Sequence, residues 1–376
     1  MIPQTSPGAN YRAHQSEIDA AVARVMHGGT YILGKEVAAF EAEFSAYLGV
    51  QYGIGVGSGT DALHIALRAC GVGAGDGVVT TSLTASATAA AIELVGAIPI
   101  FVDVDSRTGL LDPEQLERLI RRSVTPRLKA VIPVHLYGYP ADMGAIMALA
   151  NRYELMVIED CAQSHGASIG MRKTGTWGHM AAFSFYPTKN LGGIGDGGAI
   201  TTNDPSLAEK ARLLREYGWR ERYVSELSGC NSRLDEVQAA ILRIKLAYLD
   251  FENARRREVA GRYSQALSET ALEIIRPHAN VRHVYHQYVV MCDRRQELRD
   301  FLTAEGVGTL VHYPVPLHRQ PAYQARSSSQ KDALANSERL CRRVLSLPMF
   351  PELTNEQADM VIRAVRRWKP TNAISL

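Results

Sequence analysis

Short apolar runs alternate with helix-like stretches through the first half of the chain, and this alternation restricts the fold more than any other feature. The strand-like runs lie at residues 78–81, 98–104, 129–135, 155–159 and 181–185, and helix-like stretches lie between them at 87–95, 113–121 and 143–152. Two further helices are predicted earlier, at 34–48 and 60–69. Strand, crossover helix and parallel strand form the repeating unit of α/β sheets. The sequence therefore predicts an α/β domain with a mostly parallel sheet sandwiched by helices.

A long helix is predicted to lead from this domain into a second one. Val237, Ile241 and Ile244 recur at helical spacing in a segment that runs from residue 232 to about residue 267, with no proline or glycine before Gly261. Beyond it, the sequence predicts strands at 286–290 and 346–349 and helices at 294–305 and 356–367. We expect a large domain with N-terminal helices over 1–245 and a smaller C-terminal α+β domain over 246–376.

Two residues have settings that favour chemistry. Lys189 lies between the apolar run 181–185 and a glycine pair, and burial there would favour the neutral amine that attacks a carbonyl to form a Schiff base. Asp160 follows the apolar run 155–158, so its carboxylate would emerge at the carboxyl end of a strand, where open α/β folds bind ligands. Taken singly, a solvated loop lysine is the commoner case, and a helix-capping aspartate is about as common as a functional one.

Small residues at 57–60 lead into a predicted helix. Free backbone N–H groups and the positive dipole end at such a helix start can hold a phosphate. The segment also fits a loose G-x-G-x-x-A dinucleotide pattern, but the next strand ends in Thr80-Thr81-Ser82 and has no acid for a ribose hydroxyl. A helix-capping turn explains the segment equally well.

Composition and residue spacing exclude several classes of protein. The net charge is only +2, and the basic clusters lie in acid-containing helical stretches, so we expect no nucleic-acid partner. No apolar run reaches the length of a membrane span, so no membrane association is expected. The pairs His312/His318 and His283/His286 lack accompanying acids or cysteines, so no metal site is expected. The five widely spaced cysteines, with no C-x-x-C pair, favour a reducing cytoplasm.

A phosphate-binding helix start, a strand-end aspartate and a lysine before a glycine turn are together the contacts that pyridoxal phosphate requires. In these motifs and their order, the chain resembles the nucleotide-sugar aminotransferases of the DegT/StrS type. That family belongs to the fold type I, aspartate-aminotransferase-like class of pyridoxal phosphate enzymes. The matching stretches cover nearly the whole chain and lie at 57–63, 134–138, 159–167, 184–199, 229–240 and 312–318.

The resemblance implies a role for each matching residue. Lys189 would hold the cofactor as a Schiff base and, once freed, move the proton during transfer. Asp160 would pair with the pyridinium nitrogen and keep it protonated. The other implied cofactor contacts are Gln163 near the ring's 3-oxygen, Gly59, Thr60 and Ser184 at the phosphate, and Asn231, which reaches the phosphate of the neighbouring subunit. The resemblance therefore implies a homodimer with its active sites at the interface.

On the substrate side, the resemblance points to His165, Tyr313 and His318, although backbone-satisfied buried histidines and a core aromatic are equally acceptable interpretations. Ala85 departs from the family, which commonly has an aromatic residue stacked on the cofactor ring at this position. Either another side chain covers that face or the pocket admits a bulkier substrate.

The activity implied is transfer of an amino group from L-glutamate, with L-glutamine as the less expected donor, to a keto group of a nucleotide-linked 6-deoxyhexose in deoxysugar biosynthesis. Residues 215–226 resemble members that aminate the C3 position. One alternative is a pyridoxal-phosphate-dependent sugar dehydratase, which Lys189 disfavours because such relatives carry histidine there or add an iron–sulfur cluster. The other is a non-catalytic regulatory protein that binds the same cofactor.

Overall fold

A seven-stranded sheet organises the first part of the chain in the computed structural model, which describes residues 1–122, 127–327 and 334–369. Over these ranges the strands are β1 (Tyr52–Val56), β2 (Gly77–Thr81), β3 (Ile98–Val102), β4 (Leu128–Ile132), β5 (Met156–Asp160), β6 (Ser168–Ile169), β7 (Arg172–Lys173), β8 (Met180–Ser184), β9 (Gly198–Thr202), β10 (Trp219–Glu221), β11 (Val224–Ser225), β12 (Glu273–Ile274), β13 (Val281–Arg282), β14 (Tyr288–Met291) and β15 (Val344–Leu347). The large sheet has the order β1-β9-β8-β5-β4-β2-β3. Of its seven strands, β9 alone runs in the direction opposite to the other six.

Helices cover both faces of this sheet, which confirms the predicted α/β sandwich. The described helices are α1 (Pro7–Ala13), α2 (Gln15–Gly28), α3 (Lys35–Leu48), α4 (Gly59–Ala69), α5 (Ser86–Leu94), α6 (Pro113–Arg121), α7 (Met143–Arg152), α8 (Pro205–Arg215), α9 (Glu236–Leu267), α10 (Arg295–Ala304), α11 (Pro321–Ser327), α12 (Ala335–Arg343) and α13 (Asn355–Arg367). On one face α4 and α8 bury apolar side chains against the sheet, and on the other α6 and α7 do so beside α3 and α9. None of these described helices is long and apolar enough to cross a membrane.

The long helix α9 joins the large domain to a smaller one. Its first half packs on α3 and the large sheet. Its second half contributes Val259, Tyr263 and Leu267 to a separate core with the strands β14 and β15. With β12, these strands form a three-stranded antiparallel sheet. This is the predicted smaller C-terminal α+β domain, while the proposed division at residues 245 and 246, which falls within α9, stays a prediction.

Several strand limits in the large domain differ from the predictions, and the strand expected at 98–104 ends at Val102. The strand expected at 129–135 ends at Ile132, because Pro133 has no N–H to donate to a ladder. The Pro133 carbonyl still accepts from the N–H of Asp160 at 2.9 Å, so the chain stays beside β5. The residues Tyr52–Val56, for which no strand was predicted, form the sheet's edge strand β1. A Cβ on Gly53 would lie 2.6 Å from the Ser45 hydroxyl of α3, so this glycine serves helix packing.

Candidate active site

Lys189 lies in the turn between β8 and β9, at the edge where the parallel strands end. Its N–H donates to the carbonyl of Tyr186 at 2.8 Å, and the N–H of Gly193 donates to Phe185 at the same distance. The side chain is partly buried. Burial lowers the pKa of its ammonium from 10.5 to about 8, and the charge of Asp160 opposes that shift. Nζ therefore loses its proton more readily than the amine of a solvated lysine does.

Asp160 is the last residue of β5, and its backbone pairs with Ala182 in β8, the strand that leads to Lys189. The carboxylate is buried. Its Oδ2 accepts from the Thr88 hydroxyl at 2.9 Å, and its Oδ1 accepts from the Ala162 N–H at 3.1 Å. Burial raises the pKa of this carboxyl, although both hydrogen bonds and the charge of Lys189 oppose the rise. An acid and an amine thus share one low-dielectric site.

The amide of Gln163 is fixed between two tyrosines. Its Oε1 accepts from the backbone N–H of Tyr137 at 2.7 Å, and its Nε2 donates to the hydroxyl of Tyr313 at 3.1 Å. Burial raises the pKa of the Tyr313 phenol to about 12, so this hydroxyl stays protonated. The structure therefore brings together two residues, Gln163 and Tyr313, that the sequence had pointed to separately and that lie 150 residues apart in the chain.

Gly59 and Thr60 are the first two residues of α4. Ser58 caps this helix, because its Oγ accepts from the Asp61 N–H at 3.1 Å. The N–H groups of Gly59 and Thr60 lack an intrahelical acceptor, as the first N–H groups of any helix do. A Cβ on Gly59 would lie 2.6 Å from the Cβ of Ser184, so glycine permits this helix start to meet the end of β8. The three predicted phosphate-binding residues thus adjoin one another.

Asn231 stands apart from this group. It is exposed, and its backbone forms a bridge with Glu216. The next residue, Ser232, donates its hydroxyl to Asp61 at 2.8 Å and accepts from the N–H of Gly57 at 2.9 Å. Asn231 therefore lies at the protein surface next to a residue bound to the α4 helix start, and its contact with a neighbouring subunit stays a prediction.

The two histidines predicted on the substrate side, His165 and His318, both contact other side chains within the protein. His165 is fully buried, with its ring 5.5 Å from Phe183, and burial together with the charge of Lys189 lowers the pKa of the imidazole to about 3. His318 lies 2.6 Å from the Ser82 hydroxyl through Nδ1 and 3.0 Å from the Glu338 carboxylate through Nε2. Substrate contacts of both histidines and of Tyr313 stay predictions.

Three residues near Lys189 were missed as site residues in the sequence. Burial, and secondly the charge of Lys189, lowers the pKa of His312 to about 4 and that of His286 well below 6.5. Both histidines had been considered only as metal ligands. The third is Asn190, which is buried beside the lysine. The signal for Asn190 was its place directly after Lys189, whereas the two histidines reach the site only through the tertiary fold.

A buried group of His135, Glu159 and Cys161 has the composition of a metal site. The ring nitrogens of His135 and the carboxylate oxygens of Glu159, however, already have hydrogen-bond partners within the protein. His135 accepts from the Ala141 N–H at 3.0 Å through Nδ1 and bonds the Glu159 carboxylate at 3.0 Å through Nε2. Both carboxylate oxygens accept backbone N–H bonds from residues 175, 177 and 178. Burial raises the pKa of the Cys161 thiol well above its usual value, so this group is structural.

The set of donors at this edge fits pyridoxal phosphate. A lysine of lowered pKa suits a carbonyl partner, a buried carboxylate suits a ring nitrogen, and the start of α4 supplies N–H donors suited to a phosphate. The close approach of Gly59 to Ser184 keeps side-chain bulk out of the phosphate position.

Comparison with known proteins agrees with this geometry. The sequence profile of the DegT/DnrJ/EryC1/StrS aminotransferase family matches residues 12–366. The dTDP-3-amino-3,4,6-trideoxy-alpha-D-glucose transaminase of Streptomyces venezuelae is 47% identical over 370 residues, which cover 98% of this chain and 96% of that protein. The structure of S. venezuelae DesV in complex with a ketimine intermediate has a TM-score of 0.94 at 46% identity and covers 98% of both chains. Bacillus subtilis NtdA with the bound cofactor PMP has a TM-score of 0.87 at 32% identity, over 94% of this chain and 81% of that one.

Proposed function

Because this chain belongs to the DegT/DnrJ/EryC1/StrS aminotransferase family, we propose that it transfers an amino group from L-glutamate to the C3 keto group of a nucleotide-linked 6-deoxyhexose. The observation that carries the proposal is the pairing of Lys189, whose pKa is lowered, with the buried Asp160 at the edge where the parallel strands end. The similar transaminase from Streptomyces venezuelae is named for a 3-amino deoxysugar, which supports both the substrate class and C3.

The family implies pyridoxal phosphate, and NtdA was solved with PMP, its aminated form. Lys189 Nζ would hold the carbonyl carbon, and Asp160 would hold the ring nitrogen. Gln163 would lie near the ring's 3-oxygen, where its amide is already oriented by Tyr137 and Tyr313. The phosphate would be held by Gly59, Thr60 and Ser184, with Asn231 from a second copy of the chain.

When bound, the cofactor supplies an electron sink that stabilises negative charge on the carbon bearing the amino nitrogen. Asp160 favours that sink, because an anion beside the ring nitrogen keeps its proton in place. Lys189 Nζ, once free and uncharged, would take the proton from the substrate carbon that bears the amino nitrogen and hold it for return. The neutral rings of His165, His286 and His312 add no competing charge near Nζ.

His165, Tyr313 and His318 are the residues proposed to line the sugar side of the pocket and to select the substrate. Ala85 immediately precedes α5, the helix whose Thr88 binds Asp160. This small side chain leaves room beside the ring for another side chain or for a bulky substrate.

The proposed assembly is a homodimer with shared active sites. Support comes from the exposed aromatic group on the β10–β11 hairpin, where the ring of Trp219 lies 4.8 Å from Tyr217 and 5.2 Å from the exposed Tyr223. An exposed aromatic patch of this kind is typical of an interaction site. The large domain would span 1–245 and the small one 246–376. The five cysteines are free, which supports the proposed cytoplasmic location.

The test is a panel of nucleotide-linked keto-sugars offered with L-glutamate, with mass detection of the aminated sugar and assay of 2-oxoglutarate. We expect both products in equal amounts with a 3-keto-6-deoxy substrate. Lys189→Ala should abolish both products while the protein stays folded and dimeric, whereas the exposed Lys210→Ala control should retain them. Loss of water from the sugar without 2-oxoglutarate would indicate a dehydratase, and cofactor binding without any product would indicate the regulatory alternative.

A further inference from the structure

Asn190, the residue directly after Lys189, makes three side-chain hydrogen bonds in the interior. Its Nδ2 donates to Asn253 Oδ1 at 2.8 Å and to the carbonyl of Val284 at 3.0 Å, and its Oδ1 lies 3.2 Å from Nδ1 of His286. The side chain is buried. A buried amide in this setting has no water to replace a lost partner, so each bond restrains the turn that carries Lys189.

The hydrogen bonds are mutually consistent and assign the tautomer of His286. Both N–H groups of Asn190 have acceptors, so Oδ1 is the atom that faces His286. Because an amide oxygen can only accept, the proton must lie on Nδ1 of His286. The other ring nitrogen is then free to accept from Gln287 Nε2 at 3.4 Å. Burial, with the charges of Lys189 and Arg256 and the neighbouring His312 and His165, keeps the pKa of His286 well below 6.5, so the ring stays neutral.

The partners of Asn190 come from elements distant in sequence. Asn253 lies in α9 and donates onward to the carbonyl of His165 at 2.8 Å. Val284 and His286 lie just before β14 of the small domain. Val284 also donates its N–H to Gly138 at 3.1 Å. Asn190 therefore ties the Lys189 turn to the interdomain helix and to the small domain at one point.

We propose that Asn190, together with Asn253 and His286, is a positioning residue that holds Lys189 in its partly buried, reactive setting. The proposal rests on the proposed function of Lys189, and Asn190 would act through its three interior hydrogen bonds. Without its amide, the turn would lose its attachment to α9 and the small domain. Nζ would then reach water more easily, and its charged form would be favoured.

The test compares the reactivity of Lys189 across pH in cofactor-free protein, measured by trace acetylation and peptide mass spectrometry. In Asn190→Ala we expect the labelling midpoint to rise from about 8 toward 10.5, and capture of added pyridoxal phosphate near neutral pH to slow by about tenfold for each unit of rise. Turnover by the loaded enzyme should fall mainly in kcat. The Asn336→Ala control, which removes an amide bond to the Val104 carbonyl far from Lys189 in sequence, should leave the midpoint unchanged.

A matched pair at His286 keeps the proposal testable should Asn190→Ala fail to fold. The amide nitrogen of asparagine can take the place of Nδ1, so His286→Asn should keep the donor. Its labelling midpoint at Lys189 should match that of the parent, and its rate of cofactor capture should remain within about twofold of the parental rate. His286→Leu removes the donor and should behave like Asn190→Ala. Folded Asn190→Ala or His286→Leu protein with the parental midpoint would overturn the proposal. If the labelling midpoint of Lys189 rises in these variants as expected but the parent protein never transaminates, the proposed function alone would be refuted.

Discussion

Removing the charge of Asp160 should make Lys189 easier to deprotonate. Burial lowers the pKa of Lys189 to about 8, and the Asp160 carboxylate acts in the opposite direction. At pH 7 a pKa of 8 leaves about one amine in ten uncharged, against about one in 3,000 for the ordinary value of 10.5, a gain of about 300-fold. Asp160→Asn should lower the pKa further, because the amide no longer favours the ammonium.

Trace acetylation of Lys189 in cofactor-free protein between pH 6 and 11 measures this directly. The parent should give a midpoint near 8, and Asp160→Asn should give a lower one. The neighbouring imidazoles do not titrate in this range, because burial lowers the pKa values of His165, His286 and His312. A parental midpoint near 10.5 would show that burial does not lower the pKa of Lys189. A higher midpoint in Asp160→Asn than in the parent would show that the Asp160 carboxylate does not favour the ammonium.

Three further results are expected. Asp160→Asn should slow turnover by about a hundredfold or more, because a neutral amide cannot hold the ring nitrogen protonated; a stopped-flow half-reaction at the parental rate would contradict this. Gly59→Ala places a Cβ 2.6 Å from Ser184 and should weaken cofactor affinity at least about tenfold, as measured by equilibrium titration; parental affinity in this variant would contradict the close packing of the two residues. Glu159→Gln leaves backbone donors poorly paired and should lower the free energy of unfolding by about 2 kcal/mol; urea denaturation with an unchanged midpoint would disprove that role.

The parts of the site that sit at strand ends were predictable from local sequence. Asp160 directly follows a buried apolar run, and the period of that run places the carboxylate at the sheet edge. Lys189 and the start of α4 are likewise marked by turn and cap residues next to regular elements. Strand limits were less accurate, because Pro133 ends β4 while the chain beyond it continues alongside β5 through Val134.

Contacts between distant segments could not be read from local pattern. The glycine-rich residues Tyr52–Val56 form an edge strand because β9, far along the chain, pairs with them. Asn190 could be seen beside the lysine, but its partners Asn253 and His286 are brought to it by α9 and the small domain. Periodicity reports which face of an element is buried, and it carries no information on which polar groups meet there.

Borohydride reduction of the loaded protein, followed by peptide mapping, measures whether Lys189 Nζ forms the covalent link to pyridoxal phosphate. We expect one reduced cofactor per chain, attached to the peptide that contains Lys189, and none in Lys189→Ala. Attachment at a different lysine, or no attachment in protein saturated with the cofactor, would show that Lys189 does not form this link.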